Sequence, residues 1–294
     1  MAGPLLFRFS LKASAGSRSA GAHPGRVLMC TVFLVYRVLP DWPLVLLANR
    51  DEYFNRPSQA MAFWPENPKI LAGKDLQAGG SWLGLNRSGR VAALTNFRTP
   101  GRTLANAPTR GHLVPQILED SVSLRDFITF LQNDGERYNG FNLLFGNIRE
   151  MYYFTNQVGS VEPIGPGIYG LSNHGLNTPW PKVELGKKAL AELTPTDRAW
   201  SEEHLLQILK NRDRPPDHLL PDTQLGLYWE RRLSSIFIPG PEYGTRNSTI
   251  IKTHVQGFAR VSEFRWNEAG EPIGQNFYRV PLSDKGGYGG EHPG

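Results

Sequence analysis

The order of residue patterns along the chain limits its fold more than any total does. Strand-like runs come first, helical spacing follows, and strands return towards the end. Thr31–Tyr36 and Leu44–Asn49 are aliphatic and β-branched runs joined by Leu39-Pro40-Asp41-Trp42-Pro43, which reads as a hairpin. Trp82–Leu85, the polar turn Asn86-Arg87-Ser88-Gly89 and Val91–Thr95 read as a second. Leu124, Phe127, Ile128 and Leu131 then recur at helical spacing behind Ser123. Asp126, three residues on, completes a variant of the capping box. Phe141–Phe145 and Met151–Phe154 are another strand pair. Helices are predicted over Lys182–Leu193, over Glu202–Lys210 behind Ser201, and as a short segment within Leu225–Phe237. Asn211–Pro221, with its prolines, is a loop, and Thr249–Thr253 and Phe258–Phe264 are strands. Blocks of strands and helices, without regular alternation, argue against a parallel βαβ protein and for a layered α+β domain.

At 294 residues the chain has room for one large domain or two ordinary ones. Its single cysteine rules out an intrachain disulfide, and no run approaches the roughly 20 apolar residues of a membrane-spanning helix. The formal charge of +5 is concentrated: Arg8, Lys12, Arg18 and Arg26 precede Met29 with no acidic residue among them, leaving +1 for the rest. No basic stripe interleaved with aromatics remains, which argues against nucleic-acid binding. Residues 1–28, basic and rich in Ser, Ala and Gly, fit a mitochondrial transit peptide. They equally fit a start extended upstream of the true initiator Met29, in which case a cytoplasmic protein is expected. Either way they stand apart from the expected domain, residues 30–283, as does the Gly-rich tail 284–294, expected to be disordered.

Cys30 is the first candidate for chemistry. If Met29 is the start, its removal leaves cysteine at the amino terminus, where the α-amine, with a pKa of about 8, can act as base for the thiol of the same residue. Otherwise Cys30 is a structural cysteine at the start of a strand. Asn49-Arg50-Asp51-Glu52 ends the second strand. Arg50 there would favour a thiolate, holding Cys30 below the free value of about 8.5, and Asp51 would accept from an α-ammonium. The plainer reading is a charged turn, with Glu52 solvated or paired with Arg56. Asn96 ends an apolar strand, where its amide could face a developing oxyanion or satisfy a turn. Asn173 offers the same two readings. His174 beside it reads as a loop histidine sooner than as a base or haem ligand. Arg246, in a Gly-containing turn before a strand, could bind a carboxylate or carbonyl, or pair structurally.

Taken in series, these segments resemble the NRDE family, also called the transport and Golgi organisation 2 family. The resemblance is carried by Met29-Cys30-Thr31, the Asn49–Glu52 tetrad with Arg56-Pro57, Gly80-Ser81-Trp82-Leu83-Gly84 and Ala93-Leu94-Thr95-Asn96. Tyr138-Asn139-Gly140-Phe141-Asn142, Tyr169-Gly170-Leu171-Ser172-Asn173 and Tyr243-Gly244-Thr245-Arg246 complete it. More distantly, the chain is similar to amino-terminal-nucleophile hydrolases of the choloylglycine hydrolase and penicillin V acylase group. That resemblance implies a four-layer αββα sandwich with two antiparallel sheets. It also implies Cys30 as nucleophile, Arg50 and Asp51 as its supporting pair, Asn96 and Asn173 as oxyanion contacts and Arg246 as a substrate-side arginine. Here Arg and Asp are adjacent, whereas that group spaces them apart. The implied activity is hydrolysis of a C–N amide bond without metal or organic cofactor. The NRDE family's associations with Golgi organisation, lipid homeostasis and haem trafficking imply an alternative, a non-catalytic carrier of haem or a hydrophobic, lipid-like ligand.

Overall fold

The computed structural model describes residues 29–98, 104–193 and 200–283. The expectations for residues 1–28 and for the tail fall outside them. The chain begins with β1 (Met29–Tyr36), β2 (Leu44–Tyr53), β3 (Ser58–Trp64), β4 (Asn67–Asp75), β5 (Leu83–Asn86) and β6 (Val91–Asn96). Two helices, α1 (Leu113–Leu118) and α2 (Leu124–Asp134), precede β7 (Phe141–Gly146), β8 (Met151–Thr155), β9 (Val161–Pro163) and β10 (Gly167–Leu171). Then come α3 (Pro181–Ala191), α4 (Glu202–Leu209) and α5 (Leu227–Leu233), and finally β11 (Tyr243–His254), β12 (Phe258–Trp266) and β13 (Pro272–Pro281).

The strands form two antiparallel sheets, one in the order β10-β1-β2-β11-β12-β13 and the other β3-β4-β5-β6-β7-β8-β9. Alternate side chains of a strand point to opposite faces, so a sheet covered on both faces needs an unbroken apolar run. In β1, Val32, Leu34 and Tyr36 enter the layer between the sheets, while Phe33 and Val35 enter an outer layer with Leu190, Leu205 and Leu209 of α3 and α4. The second sheet repeats the device. Leu85, Ala93 and Leu144 face inward, and Ala92, Leu143 and Phe145 face out to Leu113, Ile117 and Phe127 of α1 and α2. Helices outside and two sheets inside make the expected αββα sandwich.

Several elements have no counterpart in the sequence reading: β3, β4, β9, β13 and α1. In β3 the apolar run Ala60–Trp64 does not alternate with polar residues and buries only Met61 and Trp64, and in β4 a short Ile70-Leu71-Ala72 stretch is flanked by Lys69 and Lys74. β13 is an edge strand whose side chains are mostly exposed or half-buried, and α1 is too short to show periodicity. The short helix expected within Leu225–Phe237 contracts to α5, which begins only after Gly226 at φ 81°.

One glycine fixes how closely α3 approaches β1. A Cβ at Gly186 would lie 2.0 Å from the Phe33 ring, which is fully buried. Gly186→Ala should therefore lower stability by about 1–3 kcal/mol through overpacking, although alanine is the better helix former. Thermal unfolding checks this, and an unchanged or raised midpoint contradicts the tight contact.

Candidate functional site

Strand register brings the candidate residues together. Cys30 pairs with Arg50 and Met29 with Asp51 across β1 and β2, and β11 sets Thr245 opposite Asp51 and Asn247 opposite Arg50. The register shifts between Thr245 and Asn247, so Arg246 sits at a bulge. The ends of β6 and β10 close on the same point. Asn173 Oδ1 accepts from the Cys30 N–H at 3.3 Å, and its Nδ2 donates to the Asn96 carbonyl at 2.8 Å. The Ser172 hydroxyl donates to the Cys30 carbonyl at 3.0 Å.

A cavity of about 100 Å³ lies over Cys30, walled in part by Arg50, Asp51, Glu52, Asp75, Asn96 and Arg110. Arg50 sits over the Trp82 ring, 4.2 Å from its centroid, and reaches Asp75 at 3.5 Å and Glu52 at 3.9 Å. Arg56 reaches the same two carboxylates, at 2.6 and 3.5 Å. Arg110 arrives because its segment docks on the Gly80-Ser81 backbone. The Ser81 N–H donates to the Gly111 carbonyl at 2.9 Å, and a Cβ at Gly80 would lie 2.3 Å from the Gly111 backbone. Asp51 is held from beneath: Thr245 Oγ1 donates to Oδ1 at 2.6 Å, and the Tyr243 hydroxyl donates to its carbonyl at 3.1 Å. The Met29 N–H donates in turn to that hydroxyl at 2.6 Å. Asp51 Oδ2 and the Nη1 atoms of Arg50 and Arg56 are buried without a hydrogen-bond partner.

Burial dominates the electrostatics. It pushes the Cys30 thiol up to about 12, with the Asp51 charge adding to the effect, while the Asp51 N–H and the Arg50 guanidinium pull the other way and lose. The expectation that Arg50 holds this thiol below its free value is therefore overturned, because desolvation of a thiolate outweighs one neighbouring cation. Burial likewise raises Asp51 to about 7, against the pull of Lys182, and lowers Lys182 to about 8, against the pull of Asp51. In this intact state the thiol is a poor nucleophile. Alkylation of native Cys30 by iodoacetamide should rise about tenfold per pH unit through pH 9. A plateau at lower pH would mean that the thiol ionises more easily than its burial permits.

Of the six predicted residues, Cys30, Arg50, Asp51 and Asn96 line the cavity. Asn173 is fully buried and bridges Cys30 to the end of β6. Its geometry is that of a group that positions the Cys30 backbone. Arg246 donates through Nη1 to the carbonyls of Tyr53 and Arg56, so it braces the turn after β2, and it is not among the residues that line the cavity. His174 pairs through Nδ1 with Thr178 Oγ1 at 3.0 Å and packs near Phe97, as a loop histidine.

The sequence reading missed Arg110 and Lys182. Nothing near Arg110 marks it. Lys182 did leave a sign: it stands in the first turn of a predicted helix, where a cation opposes the helix dipole. It is 3% exposed, and its Nζ donates to the Leu233 carbonyl at 3.2 Å. Among the described residues, no group of three or more His, Cys, Asp or Glu side chains could hold a metal ion, and no helix is long and apolar enough to cross a membrane.

The sequence signature described as Transport and Golgi organisation 2 matches residues 29–268. The human Transport and Golgi organization protein 2 homolog is 35% identical over 257 residues, covering 80% of this chain and 92% of that protein. Its Bos taurus counterpart is 34% identical over 260 residues with the same coverage. Among solved structures, the Caenorhabditis elegans N-acylethanolamine-hydrolyzing acid amidase ortholog aligns with a TM-score of 0.44 and 11% identity, over 76% of this chain and 92% of that one. The C2A mutant of the conjugated bile acid hydrolase from Clostridium perfringens aligns with a TM-score of 0.39 and 10% identity, over 86% and 92%.

Proposed function

The chain belongs to the transport and Golgi organisation 2 family, and from that premise we propose that it is a cysteine amino-terminal-nucleophile hydrolase acting on a C–N amide bond. One observation carries the reading: Cys30 lines a partly open polar cavity while its backbone nitrogen is held by Asn173. Once Met29 is removed, that nitrogen is an α-amine beside the thiol of its own residue. The amine takes the thiol proton, the sulfur attacks the amide carbon, and negative charge develops on the carbonyl oxygen near Asn96. Collapse breaks the C–N bond, and the α-ammonium returns the proton to the leaving amine. Water, deprotonated by the same amine, then cleaves the thioester to release the acid. Asp51, with Oδ2 unpartnered, is the acceptor available to the ammonium.

Met29 blocks this chemistry and fills space. It is buried against Leu233, Ile238 and Tyr243, beside a small space bounded by Trp180 and Pro221. Its removal would enlarge that space for an apolar part of a substrate. The test is to prepare the chain beginning at Cys30, confirm it by intact mass, and assay a broad panel of amides.

A further inference from the structure

Three arginines, Arg50, Arg56 and Arg110, and three carboxylates, Asp51, Glu52 and Asp75, line the cavity over Cys30, and their pairing is uneven. Arg50 and Arg56 share Glu52 and Asp75, and Arg98, further out, is matched by Glu230 at 3.8 Å. Asp51 is answered by Lys182. That leaves Arg110. Among the described residues no carboxylate lies within ion-pair reach of it, and its one hydrogen bond there runs from Nη1 to the Gly140 carbonyl at 2.7 Å. Its charge is close enough to Cys30 for the two to interact. An uncompensated buried cation is costly, and burial accordingly lowers Arg110 to about 10. Arg50, 5% exposed and in the same wall, keeps a buried Nη1 without a partner. What Arg110 lacks is an anionic partner.

We propose that this cavity seats a small anionic group of the ligand, a carboxylate or a phosphoryl group, gripped by Arg110 beside the Cys30 thiol, with Arg50 in the same wall. Planar guanidinium forks suit either group, and about 100 Å³ suits a group of that size. The inference rests on the hydrolase reading in taking the bound molecule as a substrate, whose scissile amide then lies next to an acidic group. Arg110 becomes a specificity-determining residue.

Two alkylating agents test it on the full chain. In each, the Cys30 sulfur displaces iodide from a methylene carbon to form a thioether, but iodoacetate is anionic and iodoacetamide neutral. Their rate ratio at one pH cancels the thiolate fraction. Relative to free cysteine, Cys30 should favour iodoacetate by about tenfold, the effect of one nearby uncompensated charge. Arg110→Met should return the ratio to the free-cysteine value, and Arg110→Lys should keep part of the preference. Acetate and inorganic phosphate should each slow iodoacetate more than iodoacetamide, and the one acting at lower concentration identifies the group. The proposal is overturned if wild type shows no preference, if neither reagent reaches Cys30, or if Arg110→Met slows both reagents equally. Should Arg110→Met fail to fold by circular dichroism, wild-type competition and Arg110→Lys decide. A ratio that holds while a chain confirmed to begin at Cys30 cleaves no amide removes the hydrolase reading and leaves the anion seat.

Discussion

The chain beginning at Cys30 is expected to cleave an amide that the chain retaining Met29 leaves intact. With Met29 in place, Cys30 has no amine of its own and its thiol is pushed up to about 12. At pH 7.5 such a thiol is ionised to roughly one part in 10⁴ to 10⁵. Exposing the amine places a base beside the sulfur, and a difference of at least about 10³ in turnover is expected. Within the active chain, Asn96→Ala should lower turnover by about 10² to 10³ while leaving ligand affinity and fold largely intact, since an oxyanion donor acts mainly in the transition state. Cys30→Ser should remove most of what remains. A carrier gives another pattern: neither substitution matters much to ligand affinity, and no amide in the panel is turned over by a chain confirmed to begin at Cys30. That pattern ends the hydrolase reading.

The layers were legible in the sequence because covered sheets need unbroken apolar runs, and β1, β2, β6 and β7 have them. The edges were not. β13 pairs on one side only and buries Val280 but few of its neighbours, so its residues carry little pattern. In the site, Cys30 and the Arg50-Asp51 pair stood out because register within one hairpin joins them. Arg110 reaches the cavity through a backbone contact between Ser81 and Gly111, a long-range docking that local spacing does not encode. The backbone contacts of Asn173 have a similar origin. A strand-end asparagine can turn its amide to ligand or to backbone, and only the approach of Asn96 and Cys30 decides that it serves backbone.

Lys182→Met should leave stability near wild type at pH 5 and cost about 3 kcal/mol more at pH 9 than at pH 6, the scale set by one to two pKa shifts acting together. The signs follow from burial. Asp51, raised from 3.8 to about 7, holds its proton more tightly in the folded chain than in the unfolded one. Its contribution is full in acid and is lost as pH rises to about 7. Lys182, lowered from 10.5 to about 8, sheds its proton more readily when folded, so wild type recovers stability above about pH 8. Of the groups that pull Asp51 down, Lys182 is the strongest. Without it the carboxyl moves higher still, its loss continues beyond pH 7, and the recovery above pH 8 disappears. Arg98, Cys30 and Glu230 also face the ammonium, but each interacts with it less than Asp51 does. At pH 5 the Asp51 carboxyl is protonated in both proteins, and the substitution removes a buried cation and one hydrogen bond to the Leu233 carbonyl. Adding Asp51→Asn to Lys182→Met should flatten the extra pH dependence, because neither titrating group remains. Urea unfolding across pH 5 to 9 measures all three proteins. A penalty for Lys182→Met that is the same at every pH would show that the lysine packs against Leu233 without governing the charge of Asp51, and would remove Asp51 as a group poised to meet the Cys30 amine.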